Sequence, residues 1–167
     1  MHRRLALLVA LMIFLADQAT KCIMLYGFDL EASGPLSVLP ILDFVLVWNR
    51  GISYGLFQQH EEIGRFALIL FSFVAIIGFL AWLRRITRGI PALAIGLIVG
   101  GALGNAIDRL AYGAVVDFIL LHWGEWRWYV FNIADAAIVV AVALLLADSW
   151  LGNPHRGNSH PAEERPS

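Results

Sequence analysis

The sequence predicts an all-α polytopic membrane protein: four transmembrane helices, with a small β-structure and an aromatic loop on the outer face. Three observations predict it. First, the 167 residues are 59% hydrophobic and only 15% charged, against about 25% charged in ordinary soluble domains; mean hydropathy is +0.71. Second, four apolar runs, about 5–25, 66–83, 90–107 and 133–151, each approach the roughly 20 residues that cross a bilayer. Third, these runs are continuous instead of alternating, so they read as helices and not as barrel strands.

The first run follows Arg3 and Arg4, as a cleaved signal peptide would, but it continues through Asp17 and Lys21 with no small-x-small pattern after it. A retained helix is expected. Arg84, Arg85 and Arg88 fill the turn between the second and third runs, and Arg156 and Arg165 lie in the tail. With an even number of spans these segments share one side, which the positive-inside rule makes the cytoplasm. Two longer connections, about 27–65 and 110–132, then face outward.

In the first connection, Ile41 to Phe57 is rich in β-branched and aromatic residues punctuated by Gly51 and Gly55, which predicts a small β-structure at the outer surface. The second carries Trp123, Trp126, Trp128 and Tyr129, residues suited to an interfacial aromatic belt or to gripping lipid or substrate. The tail, 152–167, is polar and rich in Pro, Gly and Ser, a composition that predicts disorder; its His155 and His160 are not expected to bind metal. Residues 1–151 are expected to form a single membrane domain. The single cysteine, Cys22, excludes an internal disulfide and a multi-cysteine metal site. The net charge of -1 gives no basic surface for nucleic acid.

Polar residues interrupt this apolar chain in a pattern. Helices rise about 1.5 Å per residue, so Asp17 and Lys21 lie about 18 and 24 Å along an outward-running first helix. Asn105, Asp108 and Arg109 fall at the outer end of the third. Asn132 and Asp135 open the fourth, and Asp117 lies in the connection between them. Topology therefore delivers all of them to one depth. Carboxylates among apolar residues are costly, which marks Asp108, Asp117 and Asp135 for attention. Asp17 and Lys21, at i and i+4, can neutralise each other and support a site without touching substrate. Asp108 and Arg109 are open to ion-pair roles at a helix end. Gly96, Gly100 and Gly104 form overlapping GxxxG steps, which predict close helix packing.

The chain lacks an HExxH pair and the Lys-Ser/Thr ending of a phosphate loop. A carboxylate pair needs no cofactor. Two close carboxyls share one proton; the ionised member can activate water while the protonated member polarises a carbonyl. Asp117 and Asp135 are the candidates, and peptide hydrolysis at a membrane surface is the natural use.

At these residues the sequence resembles the bacterial lipoprotein signal peptidases, the signal peptidase II family. Five ordered motifs carry the resemblance: DQATK (Asp17 to Lys21), NRGISYGLF (Asn49 to Phe57), GGALGNAIDR (Gly100 to Arg109), GAVVDF (Gly113 to Phe118) and FNIAD (Phe131 to Asp135). The resemblance implies four transmembrane helices in the bacterial inner membrane, both termini cytoplasmic, and an active site at the periplasmic side. It implies an aspartyl endopeptidase, inhibited by globomycin, that cleaves diacylglyceryl-modified prolipoproteins just before the lipidated cysteine. The dyad carries over onto Asp117 and Asp135. Asn49, Gly51, Asn105, Arg109 and Asn132 match positions that line the site, and Asp17 and Lys21 match the first-helix motif. Tyr54 stands where phenylalanine is expected. No cofactor or metal is expected, the partners are the lipidated substrate and membrane lipid, and a monomer suffices.

Two rivals come from other classes. A proton-coupled transporter also keeps intramembrane carboxylates, but near the midplane and often on repeated or broken helices, and no internal repeat is visible here. A structural subunit would tolerate loss of both Asp117 and Asp135.

Overall fold

The computed structural model describes residues 2–51 and 61–151. Four helices in it are long and apolar enough to cross a membrane. They are α1 (His2–Cys22), α3 (Glu61–Leu83), α4 (Gly89–Tyr112) and α5 (Ile133–Leu151). A π-helical turn, Ile23–Gly27, extends α1, and the short α2 (Leu30–Ser33) follows it. Four strands form one antiparallel order: β1 (Leu36–Leu39), β2 (Leu42–Asn49), β3 (Val115–Trp123) and β4 (Trp126–Arg127).

Helix α4 is the centre of the bundle, packed by α1, α3 and α5. Its small residues explain why. A Cβ added at Gly96 would lie 2.5 Å from the carbonyl oxygen of Ala6, and one at Gly100 would lie 2.5 Å from that of Ala10. One at Gly101 would meet the carbonyl oxygen of Ala134 at 2.6 Å. The glycine face therefore lets two neighbouring backbones approach to distances that any side chain forbids, as GxxxG spacing predicts. Helix α3 buries one seam, Ile69, Ile76 and Leu83 at seven-residue spacing, and leaves Phe66, Leu70, Phe71, Val74 and Ile77 exposed. An apolar outer face of this kind is what hydrocarbon solvates.

At one end of the bundle, Arg3 donates to the carbonyl of Arg84 and Arg88 pairs with Asp148 at 2.6 Å. The start of α1, the α3–α4 turn and the end of α5 therefore meet there. The sheet sits at the other end.

The helices run further than their apolar content suggests. Helix α3 begins five residues before Phe66, and α4 continues to Tyr112, where Gly113 in the left-handed region (φ 76°) stops it. The larger difference is β3. Its residues fall within the second predicted outer connection, yet they form the longest strand, buried from Val115 to Phe118. The run VVDFILLHW is dominated by β-branched and aliphatic residues, and β2 supplies the partner: Val47 pairs with Asp117 and Asn49 with Val115. Of the predicted β-structure at Ile41 to Phe57, β2 is present; its portion beyond Gly51 lies outside the described residues, as do Tyr54 and the tail. Trp123, Trp126, Trp128 and Tyr129 are all exposed.

Candidate active site

Five segments place polar side chains at the sheet end of the bundle. Asp17, Gln18 and Lys21 come from α1, Asn49 from β2, Asn105, Asp108 and Arg109 from α4, Asp117 from β3, and Asn132 and Asp135 from the start of α5. Asp17, Lys21, Asn105, Asp108, Asp117 and Asn132 are buried.

Lys21 organises one half. Its Nζ lies 2.7 Å from Asp17 Oδ2 and 2.7 Å from Asp108 Oδ2, and donates to Asn105 Oδ1 at 3.3 Å. Three acceptors match the three protons of an ammonium. Both carboxylates also hold backbone. Asp17 Oδ1 accepts the N–H of Ala134 at 2.9 Å, and Asp108 Oδ2 accepts the N–H of Val116 at 3.1 Å. Those residues immediately precede Asp135 and Asp117. Gln18 closes the arrangement, donating from Nε2 to Asp108 Oδ1 at 2.9 Å. The Asp17–Lys21 pairing is the one that i, i+4 spacing predicts; the partner of Asp108 is Lys21 and not its neighbour Arg109.

Two asparagines organise the other half. Asn132 donates from Nδ2 to Asp117 Oδ1 at 2.7 Å and to Asn105 Oδ1 at 3.2 Å. Asn105 donates from Nδ2 to Asp135 Oδ1 at 2.8 Å. An amide chain thus runs from one carboxyl of the pair to the other. Asn132 precedes α5, and its Oδ1 accepts the N–H of Asp135 at 2.9 Å, so the same side chain caps the helix. The local sequence explains the placement: Phe131 pairs with Ile119 on β3, which sets Asn132 beside Asp117.

The second oxygen of Asp117 accepts from Asn49 Nδ2 at 2.9 Å. That amide also reaches the Tyr129 hydroxyl at 3.1 Å, and its Oδ1 accepts the N–H of Gly51 at 2.9 Å. Gly51 is required at its position: its φ is 102°, and an added Cβ would lie 2.5 Å from Leu68.

Burial pushes Asp117 up to about 6; the Asn49 hydrogen bond works against that rise, and the charge of Asp135 adds to it. Arg109 donates to the carbonyl of Asn105 at 3.3 Å and lies in the field of Asp135, Asp117 and Asp108. Two cations, Lys21 and Arg109, thus face four carboxyls. Retaining a proton on one member of the Asp117–Asp135 pair reduces the imbalance.

Every residue predicted for the site lies in this constellation. Gln18 and Tyr129 were missed as contributors. Gln18 had a signal, being polar inside an apolar run and beside Asp17. Tyr129 had none beyond its membership in an aromatic cluster. Among the described residues, no group of His, Cys, Asp and Glu is arranged to hold a metal ion.

A family model described as Signal peptidase (SPase) II matches residues 9–151. The chain belongs to the signal peptidase II family. Family membership makes it a peptidase, and its four apolar helices make it a multi-pass membrane protein. A lipoprotein signal peptidase of Methylobacterium radiotolerans is 51% identical over 164 residues, spanning 98% of this chain and 96% of its own. One from Methylorubrum extorquens is 57% identical over 143 residues, 85% of this chain and 84% of its own. Two solved structures, each of a bacterial membrane enzyme, share the fold with TM-scores of 0.75. One is 24% identical and covers 97% of this chain and 94% of its own; the other is 26% identical and covers 89% and 93%. None of these similarities favours the transporter reading.

Proposed function

We propose that this chain is an intramembrane aspartyl endopeptidase that removes the signal peptide from diacylglyceryl-modified prolipoproteins, cutting just before the lipidated cysteine. The observation that supports it most directly is the amide chain Asp117–Asn132–Asn105–Asp135, which ties two carboxyls into one unit at the sheet end of a membrane bundle. Family membership and relatives named lipoprotein signal peptidase support the substrate class.

In this reading one carboxyl of the pair is ionised and takes a proton from water as the oxygen attacks the scissile carbonyl. The other, protonated, hydrogen-bonds that carbonyl and delivers its proton to the oxygen that becomes negative. Collapse of the tetrahedral species breaks the C–N bond: the leaving α-amine of the lipidated cysteine takes the proton gained from water, and one hydroxyl returns its proton to the second carboxyl as the carbonyl re-forms. Asn105 and Asn132 hold the two carboxyls, and Arg109 tempers the local negative charge. Asn49, oriented by Gly51, carries the sheet onto Asp117. Asp17, Lys21 and Asp108 support the pair from behind. No metal or cofactor takes part.

The topology proposed with this function puts both termini in the cytoplasm and the carboxyl pair at the periplasmic face of the inner membrane. The basic residues at the opposite end of the bundle, Arg3, Arg4, Arg84, Arg85 and Arg88, support that orientation. Residues 1–151 act as one domain, and a monomer is sufficient. The exposed Trp123, Trp126, Trp128 and Tyr129 then lie at the outer interface.

The test is a gel-shift cleavage assay in detergent with a diacylglyceryl-modified prolipoprotein, run beside Asp117→Asn and Asp135→Asn. Cleavage before the lipidated cysteine by the wild type alone is the expected result. Cleavage that persists in either variant would exclude the two-carboxyl mechanism.

A further inference from the structure

A second polar recess lies beside the sheet end, where the outer ends of two spanning helices meet β2. A cavity of about 260 Å³ is walled by Arg50, Glu62, Arg65, Tyr112 and Gly113. An adjoining cavity of about 240 Å³ shares Arg50 and Tyr112 and adds Trp48 and Ala114. None of the residues of the carboxyl pair or its amide chain lines either one. We propose that this recess binds the phosphate diester of a membrane glycerophospholipid.

Charge is the first argument. Two arginines, Arg50 and Arg65, and one glutamate, Glu62, line the larger cavity, and Arg is the side chain whose planar fork fits phosphate oxygens two at a time. Position is the second. Arg65 is on the second turn of α3 and Tyr112 is the last residue of α4, so the recess sits where a spanning helix leaves hydrocarbon and phosphates of a leaflet lie. Ile63, Phe66 and Leu110, on the same helix ends, are exposed and apolar. A ligand seated here would have its charged group in the cavity and apolar surface beside it for acyl chains. A soluble anion would use only the first of these.

The Arg65 guanidinium is also held in place. It lies over the ring of Phe66, with its central carbon 4.9 Å from the ring centroid. It also lies beside Gly113, whose missing Cβ would sit 3.2 Å from Arg65 Nη1. Gly113, needed at φ 76° to end α4, thus also makes room for the arginine. The volume is below the roughly 300–1,000 Å³ of pockets that enclose drug-sized ligands. It suits a headgroup, with the rest of the lipid outside. The proposal rests on the four helices crossing a bilayer and is independent of the peptidase chemistry.

Native mass spectrometry of the full chain released from detergent micelles tests it. The probes are dioleoylphosphatidylglycerol, dioleoylglycerol (the same acyl chains without phosphate) and inorganic phosphate. The wild type should retain one phospholipid and no dioleoylglycerol. Arg65→Gln should weaken retention about tenfold or more, the loss expected for hydrogen bonds to a charged group, and Arg65→Lys should lose less. Glu62→Gln, which raises the positive charge of the recess, should strengthen it. That second variant has the opposite sign, so poor folding of Arg65→Gln does not mimic the result. Asp117→Asn should bind as the wild type does, which separates this outcome from the fate of the peptidase reading. Equal retention of dioleoylglycerol, or no response to either charge change, overturns the proposal. Binding of inorganic phosphate with no retained phospholipid assigns the recess to a free anion and overturns it as well.

Discussion

Asp17, near the end of the first spanning helix, accepts the backbone N–H of Ala134, at the start of the last, at 2.9 Å. Asp108 makes the matching contact to Val116 at 3.1 Å, and Lys21 lies 2.7 Å from both carboxylates. One ammonium therefore sets the spacing of the two backbone points from which Asp117 and Asp135 project. Removing only Lys21 strands two buried carboxylates, a change that costs on the order of 3–5 kcal/mol. Lys21→Met should lower the unfolding temperature and cleavage together. Lys21→Met combined with Asp17→Asn and Asp108→Asn should recover much of the stability but not the turnover, because the neutral set no longer fixes the two N–H groups as firmly. Thermal unfolding and kcat measured on both variants check this. Full recovery of kcat in the combined variant would exclude positioning by the triad.

The rise of Asp117 to about 6 fixes the sign of a pH effect. A carboxyl raised on folding binds more protons in the native state than in the unfolded one. Stability from this group is therefore present at low pH and is lost as pH climbs from about 4 through about 6. The loss is on the order of 3 kcal/mol. The unfolding free energy of the wild type, measured relative to Asp117→Asn, should fall across that window. A flat difference would mean that Asp117 titrates as an ordinary carboxyl.

Asn49 donates to Asp117 and thereby favours its ionised form. Asn49→Ala should move the Asp117 titration further up. The limb of the pH–kcat/KM profile that this group governs, near pH 6 in the wild type, should shift toward alkaline pH. A drop in kcat/KM with no displacement of the limb would reduce Asn49 to a scaffolding role.

Asn132 combines a helix cap with a hydrogen bond to a buried carboxyl. Loss of the cap alone costs about 1 kcal/mol, and loss of a bond to a charged group about 1.5–3 kcal/mol. Asn132→Ala should therefore destabilise the protein by roughly 2–4 kcal/mol and reduce kcat well beyond what a cap mutation elsewhere would do. Equilibrium unfolding in mixed micelles, paired with cleavage rates, separates the two contributions.

At Gly100 a side chain would run into the backbone oxygen of Ala10. Gly100→Val should cost about 3 kcal/mol or more, at or beyond the upper end of ordinary overpacking, because backbone cannot yield as a rotamer can. Gly78, whose missing Cβ has nothing within 4 Å, is the control position, and Gly78→Ala should leave the unfolding temperature nearly unchanged.

The spans were legible because a long apolar run has few other uses, and the polar convergence followed from helix rise and an even count of crossings. Strand β3 was not. Its aromatic C-terminal end pointed to an interfacial loop, whereas the buried stretch Val115–Phe118 is shaped by its pairing with β2, some 70 residues earlier. The Lys21–Asp108 pair was hidden for the same reason: its partners are 87 positions apart, and the sequence leaves the ion-pair partner of Asp108 open. The N–H groups of Val116 and Ala134 carry no side-chain signature at all, so a sequence cannot announce that they are held. Gln18 could have been found, since an amide inside a membrane span needs a partner.

The contact between the first and last spans has a further consequence for a chain that enters the membrane piece by piece. Asp135 takes its place, and Asp117 gains its hydrogen bond from Asn132, only when the N-terminus of α5 docks against Asp17 and Asn132 reaches β3. Until then the two carboxyls belong to unconnected parts of a nascent protein. Under the proposed mechanism, cleavage becomes possible only after the first and last spans have packed together.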